Sequence, residues 1–389
     1  MQVGVIIAGF CTFLPIYATQ PLLPLFRSLF SASALATSMT ISAVTIAIAL
    51  SSPWVGAAAD VLGRKRVIIA AILGLAVPTC LTAASSDLTQ IVIWRFLQGL
   101  FVPGIIAVTL AYIAEETESN TSGSMTAAYV TGTVIGGMCG RFLTALTTAH
   151  FSWRYAFAVL GLVTFLGGVF AWISLPKSVR FVRQQDPFAS LRSMGAHLKN
   201  PRLLATYYIG FNSLFTLVGI FTYVNFYLAE EPFNLGLVAL GSVFLVYGLG
   251  IIVTPASGWL IDRFGYRAGL ISAAWIAIAG VSLTLIPVTW CVILGLAILS
   301  SGIFAAQSAA SSHIGVAAST ARSSAAGLYV CCYYFGGSVG ATILGVLWNW
   351  QGWPACVACV ILLQIISTLV ALRYFISKPV ADSRIPVVS

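Results

Sequence analysis

Of 389 residues, 59% are hydrophobic and only 7% are charged. The mean hydropathy is +0.98, whereas soluble domains carry roughly 25% charged residues. This composition excludes a soluble enzyme or a soluble binding module and implies a polytopic membrane protein. The net charge of +9 does not indicate a nucleic-acid partner, because most basic residues fall in alternate loops and the tail. They form the groups Arg64, Lys65, Arg66, then Lys177, Arg180, Arg183, Arg192, Lys199, Arg202, and then Arg263, Arg267, Arg322, Arg373, Lys378, Arg384. The positive-inside bias places these loops and both termini in the cytoplasm, the membrane being a plasma membrane.

A helix needs about 20 apolar residues to cross the hydrocarbon core. The apolar stretches then predict twelve spans, at 3–25, 37–59, 67–86, 90–113, 123–147, 154–175, 203–229, 237–261, 268–287, 290–313, 323–347 and 354–376. The expected fold class is therefore an all-α membrane protein with twelve transmembrane helices in two pseudo-symmetric six-helix bundles. Residues 1–175 form the first bundle, 176–202 a cytoplasmic linker, and 203–389 the second bundle with a short cytoplasmic tail. The stretch from Val3 reads as a span and not as a cleaved leader. Phe188 to Leu198 in the linker has the spacing of a short amphipathic helix on the membrane surface.

Span one carries Tyr17 and Gln20 in a proline-rich stretch. The loop after span two reads Gly56-x-x-x-Asp60-x-x-Gly63-Arg64, and the loop after span eight repeats it as Gly258-x-x-x-Asp262-x-x-Gly265 with Arg267. Span four holds Arg95 and Gln98. Span five has the glycine run Gly132, Gly136, Gly137, Gly140, followed by Arg141, and Tyr129-Val130 with these glycines matches Tyr329-Val330 with Gly336, Gly337 and Gly340. A repeat of half the chain means two copies of one unit. On span seven, Tyr208, Asn212, Thr216 and Tyr223 share one helical face, and on span eleven Tyr329 and Tyr333 do the same. Such a face either lines a cavity or forms a packing seam. Asn225, Tyr247 and Gln307 are further lining candidates.

None of the ten acids falls near the middle of a span, whereas Arg95 and Arg141 lie inside spans four and five. A charge in the bilayer costs on the order of 2.5–3.5 kcal/mol unless it faces water or a partner. Two readings stand: the arginines bond carbonyls and polar side chains between helices, or they form a cationic patch for a carboxylate or phosphate. The eight cysteines all lie in apolar stretches, so no disulfide framework, metal site or cofactor is expected, and no phosphate-binding loop supports ATP-driven pumping. No acid, base and nucleophile share a depth, so the chain is not expected to be an enzyme.

The Gly56 to Lys65 segment, its second copy at Gly258, and Arg95 with Gln98-Gly99 resemble signatures of the major facilitator superfamily. The span-five glycine run resembles the antiporter motif of its drug/proton-antiporter-like members, but Gly136-Gly137 and Gly140-Arg141 replace Gly-Pro and Gly-Gly. This form, with Tyr17 to Pro24, looks most like the bacterial arabinose-efflux-like subgroup. The resemblance implies proton-coupled efflux of a small organic molecule by alternating access, with protons as coupling ion and a monomer as the working unit. Glu115, Glu116, Asp87 and His313 are the proton candidates, with His150 and His197 behind them. The alternative is an organic-anion exchanger or symporter that uses Arg95 and Arg141. Expected substrate contacts are Arg95, Arg141, Tyr17, Gln20, Gln98, Asn212, Tyr223, Asn225, Tyr247, Gln307 and Tyr333. Gly56, Asp60, Gly63, Arg64, Asp262 and Arg267 are the expected conformational latch, with Asp60 facing the start of span eleven, and Gly132, Gly136, Gly137 and Gly140 are packing glycines that let spans five and eight slide.

Overall fold

The computed structural model describes residues 1–117, 119–178, 194–318 and 322–375, less the side chains of 56–58, 60, 119, 120, 122, 322 and 323. Lipid offers no partner for backbone N–H and C=O groups, so the spanning segments satisfy themselves as helices. The first span is not one helix. It runs as α1 (Gln2–Ile16), a 3-10 turn (Gln20–Leu22) and α2 (Leu23–Leu29). Pro21 has no N–H to give the Tyr17 carbonyl, and the Gln20 N–H turns back to Tyr17 O at 3.0 Å, which removes the helical partner of the Ile16 carbonyl.

α3 (Ala34–Leu62) starts at Ser33, whose hydroxyl accepts from the Ala36 N–H at 3.0 Å. It ends at Gly63, whose φ of 92° lets the chain reverse directly into α4 (Arg64–Ala83). Asp87 caps α5 (Leu88–Phe101), accepting from the Gln90 N–H at 2.9 Å, and Pro103 opens α6 (Pro103–Glu116). α7 (Ser119–His150) and α8 (Trp153–Ser174) follow. Asn200 caps α9 (Pro201–Ala229) through the Arg202 and Leu203 N–H groups. Then come α10 (Leu237–Val243), a 3-10 stretch (Phe244–Gly248), α11 (Leu249–Leu283), α12 (Thr289–Ala317), α13 (Arg322–Gln351) and α14 (Trp353–Tyr374).

The protein is thus an all-α, multi-span helical bundle, and among the described residues ten helical runs are long and apolar enough to cross a membrane. The sequence reading expects twelve, and it differs in two places. The 32-residue α7 is long enough but rich in Ser, Thr and Gly, so it is not among the ten. The expected spans 237–261 and 268–287 are joined in one 47-residue run, Leu237–Leu283, which is interrupted at Gly265 with φ 82° and ψ 165° and ends four residues before the expected boundary. The expected linker helix lies largely outside the described residues, although 194–197 is helical.

Packing repeats along the chain. α1 lies on α7 and α8, α3 on α5, and α4 on α8; later α9 lies on α13, and α11 on α12 and α14. The glycine stripe explains one of these seams. A Cβ on Gly132, Gly136 or Gly140 would sit 2.2, 2.3 or 1.9 Å from the carbonyl oxygens of Ile6, Phe10 and Leu14, so α7 rests directly on the α1 backbone. Gly336 and Gly340 meet Phe211 O and Phe215 O in the same way, at 2.1 and 2.4 Å. The stripe therefore faces span one, not span eight; the sliding surface expected of it is corrected. A helical repeat of small residues marks a close-approach face but not its partner.

The early and late helices meet where α3 packs on α13, α10 on α7, and the 17–29 segment on α9. Among the described residues, the side-chain hydrogen bonds across this junction involve Gln20, Arg27, Ser38 and Ser42 with Thr222, Tyr223, Glu230, Ser338, Ala341 and Thr342. All of these lie toward the end that carries the exposed Arg27–Glu230 ion pair at 2.7 Å. At the opposite, basic end, a Cβ on Gly123 of α7 or Gly258 of α11 would meet nothing within 4 Å.

Candidate functional site

The junction is organised around the break in span one. Its freed carbonyls and its polar turn are held from two sides by buried arginines. Arg95, fully buried on α5, gives Nε to Thr40 O at 3.1 Å and Nη1 to Pro15 O at 2.7 Å and to Gln98 Oε1. Its Nη2 donates to Ile16 O. The cation thereby sits at the carbonyl end of α1, where the helix dipole favours positive charge. Gln98 is fixed in turn by Nε2 to Thr79 Oγ1 at 3.0 Å. The arginine fork is spent on the fold, and the structure places Arg95 and Gln98 as a clamp on the broken helix.

Arg141 is different. It is 3% exposed on α7, with Nε donating to Gln20 Oε1 at 2.7 Å and Nη1 to Gly137 O one turn earlier at 2.7 Å. Tyr17, Phe244 and Tyr247 surround its guanidinium, with ring centroids at 4.7, 4.7 and 5.0 Å. Cation–π contacts contribute roughly 0.5–2 kcal/mol each, and they place late-chain rings against an early-chain charge. Among the described residues, no hydrogen bond engages Arg141 Nη2, and no carboxylate pairs with either arginine. Gln20 extends the link, since its Nε2 donates to Thr222 Oγ1 at 3.2 Å. The sequence picks out Tyr17, Gln20, Arg141 and Tyr247 separately, and the structure brings them together.

Tyr223 closes the same junction nearer the Arg27–Glu230 end. Its hydroxyl donates to Ala341 O at 2.7 Å and lies 2.8 Å from Ser38 Oγ. Other expected lining residues lie elsewhere. Asn212 reaches Ser367 Oγ at 2.6 Å, and Gln364 reaches Thr216 Oγ1 at 3.0 Å, so this face of α9 is a packing seam with α14. Asn225 turns back to Phe221 O of its own helix at 2.6 Å. Tyr333 stacks on Tyr329 with centroids 6.0 Å apart, and Gln307 is half-buried on α12.

The proton candidates scatter. Asp87 is a helix cap, and Glu115 accepts from Arg64 at 2.8 Å. His313 is buried on α12, with Nδ1 2.8 Å from Thr206 Oγ1. His150 is exposed, and His197 is buried in the described part of the linker.

The basic-loop residues bond within their own part of the chain. Arg64 pairs with Glu115, Lys65 Nζ donates to Leu175 O at the end of α8, and Arg267 donates to Leu372 O and Phe375 O at the end of α14, at 2.6 and 3.0 Å. Each copy of the loop thus puts a cation on the carbonyl end of a later helix, α8 for the first copy and α14 for the second. Asp262 is exposed, and the side chains of Gly56 and Asp60 lie outside the described set. Lys65, Thr222, Ser38 and Phe244 are junction or capping residues that the sequence reading misses; only the offset pairing of Lys65 with Arg267 signals any of them.

The chain is 33% identical over 368 residues to an uncharacterized transporter of Buchnera aphidicola subsp. Schizaphis graminum, covering 94% of this chain and 89% of that protein. It is 30% identical over 370 residues to the inner membrane transport protein YnfM of Escherichia coli K12, covering 94% and 88%. In fold it is similar to a bacterial homolog of the human lysosomal transporter Spinster in an inward-facing, unoccupied conformation. That likeness has TM-score 0.75 and 12% identity and covers 95% of each chain. A family profile described as Major Facilitator Superfamily matches residues 5–341; with the broken first span and the repeated glycine reversals, this makes the chain a member of that superfamily of membrane transporters.

Proposed function

We propose that this transporter is a twelve-span secondary carrier that moves a small organic anion by rocking two six-helix bundles, residues 1–175 and 203–389, about the Arg141 junction. The linker 176–202, the basic end and both termini face the cytoplasm. The observation that carries the anion reading is Arg141 itself: a buried cation, bracketed by rings from both parts of the chain, with Nη2 unengaged among the described residues. A carboxylate accepting from Nη2 would compete with Gln20 for the guanidinium and loosen the Arg141–Gln20–Thr222 link, which couples occupancy to movement. In this reading Arg95 and Gln98 position the broken span, while Tyr17, Gln20 and Tyr247 flank the ligand. The Gly56–Asp60 segment, with Arg64 and its counterpart at Asp262 and Arg267, latches the basic end in the alternate state.

The second reading is proton-coupled efflux of a neutral or cationic organic molecule, as the likeness to drug/proton antiporters and the arabinose-efflux-like subgroup implies. Buried His313 bonded to Thr206 favours it, as a titratable group joining α12 to α9. Counterflow into proteoliposomes separates the two. Labelled benzoate, benzamide and benzylamine are compared in wild type and Arg141→Gln. The anion reading expects benzoate counterflow above the other two, and its loss in the variant. Equal counterflow of benzamide or benzylamine, unchanged in the variant, overturns it.

A further inference from the structure

A second site lies away from the junction. At the basic end a cavity of about 760 Å³ opens beside α4 and the end of α8. Its mouth is cationic, formed by Lys65, Arg66 and Lys177 with Ser178, and among the described residues no carboxylate lines it. Lys65 is occupied, its Nζ on Leu175 O and its backbone N–H on Ser178 Oγ at 3.4 Å. Arg66 and Lys177 are exposed, and among the described residues no hydrogen bond or ion pair engages either of them.

The walls are apolar, with Leu62, Ile69, Ala70, Leu73 and Trp172. Arg66, Ala70, Leu73 and Val77 follow one another at steps of four and three, so they share one stripe of α4. Exposure continues along it, through exposed Ala70 to Val77 at 58%, and on the neighbouring helix Trp172 is 63% exposed. A groove with unpaired cations at the membrane surface, a tryptophan at the same level and an uncovered apolar stripe beneath matches one kind of molecule. A soluble anion would leave the stripe uncovered, and a neutral lipid would leave the cations unpaired.

We propose that this groove binds an anionic phospholipid. The headgroup phosphate takes Arg66 and Lys177 and a hydrogen bond from the Ser178 hydroxyl, while an acyl chain lies along Ala70, Leu73 and Trp172. The proposal is independent of what Arg141 binds.

The test uses the full-length protein in phosphatidylcholine nanodiscs, with trace brominated phosphatidylglycerol or brominated phosphatidylcholine as quencher. The Trp172 signal is the difference between each protein and its Trp172→Phe version. An anionic surface attracts each basic residue by about fivefold in affinity. Wild type should therefore be quenched by brominated phosphatidylglycerol at a concentration at least tenfold below brominated phosphatidylcholine. That preference should fall below twofold in the Arg66→Gln/Lys177→Gln double variant. It should survive in Arg66→Lys/Lys177→Arg and in millimolar inorganic phosphate. Equal quenching by both lipids in wild type, or a preference retained in the double variant, overturns the proposal. Loss of the preference in phosphate also overturns it, by assigning the cations to a soluble anion.

Discussion

Arg95 and Arg141 reach the broken first span from α5 and α7, and their donors are spent differently. Arg95 is surrounded by carbonyl oxygens of Pro15, Ile16 and Thr40, so its removal strands the buried Ile16 acceptor, which the helix break has left without a backbone partner, and takes a second donor from the other two. A lysine cannot fill the same positions, because its donors radiate from one point and not from a planar fork. Arg95→Lys should therefore cost about 3 kcal/mol, read as a large fall in thermal unfolding midpoint in detergent; an unchanged midpoint contradicts the clamp. Arg141→Lys should instead leave the midpoint within a few degrees and reduce transport, because only two hydrogen bonds are removed and one of them is to its own helix. The depth of both arginines is visible in the sequence. Their partners are not, since these are carbonyls exposed by a helix break that hydropathy reads as one span over 3–25. Pro15, Pro21 and Pro24 are the only local sign of that break.

At the scale of elements, the two seams of α7 and α13 rest on glycines that let a neighbouring backbone touch. Gly140→Ala puts a methyl group 1.9 Å from Leu14 O, and separating α1 from α7 should cost roughly 1–3 kcal/mol. Gly123→Ala, with nothing within 4 Å of its Cβ, should be neutral or slightly stabilising by the same measurement. Comparable losses at both positions would contradict the seam. Several element boundaries are legible because the apolar stretch there ends at a capping residue or a reversal, as at Ser33, Gly63, Asp87 and Asn200. Periodicity does not say what a face packs against, so the sequence points the glycine stripe toward span eight and leaves the Asn212 face open between cavity and seam. The Lys65 and Arg267 caps were also hidden, because a basic loop is expected at that end whatever its side chains bond. Arg267→Gln should free the last turn of α14, giving faster amide exchange at 371–375; unchanged exchange would show that the cap does not hold it.

Across the whole molecule, the hydrogen bonds joining early and late helices concentrate toward one end. The Arg27–Glu230 pair there is 45% and 54% exposed and contributes at most about 1 kcal/mol. Closure therefore rests on the buried groups, Ser38 with Tyr223 and Ala341, and Gln20 between Arg141 and Thr222. Removing these contacts should favour the state open at that end. The direct test is double electron–electron resonance on proteins spin-labelled in pairs, Ala149→Cys/Gly236→Cys near the closed end and Gly123→Cys/Gly258→Cys at the basic end, with native cysteines replaced. On adding Tyr223→Phe and Gln20→Ala, an alternating-access carrier gives a longer Ala149–Gly236 distance together with a shorter Gly123–Gly258 distance. If one distance changes while the other stays fixed, or both lengthen together, the ends are not coupled and the carrier account is contradicted.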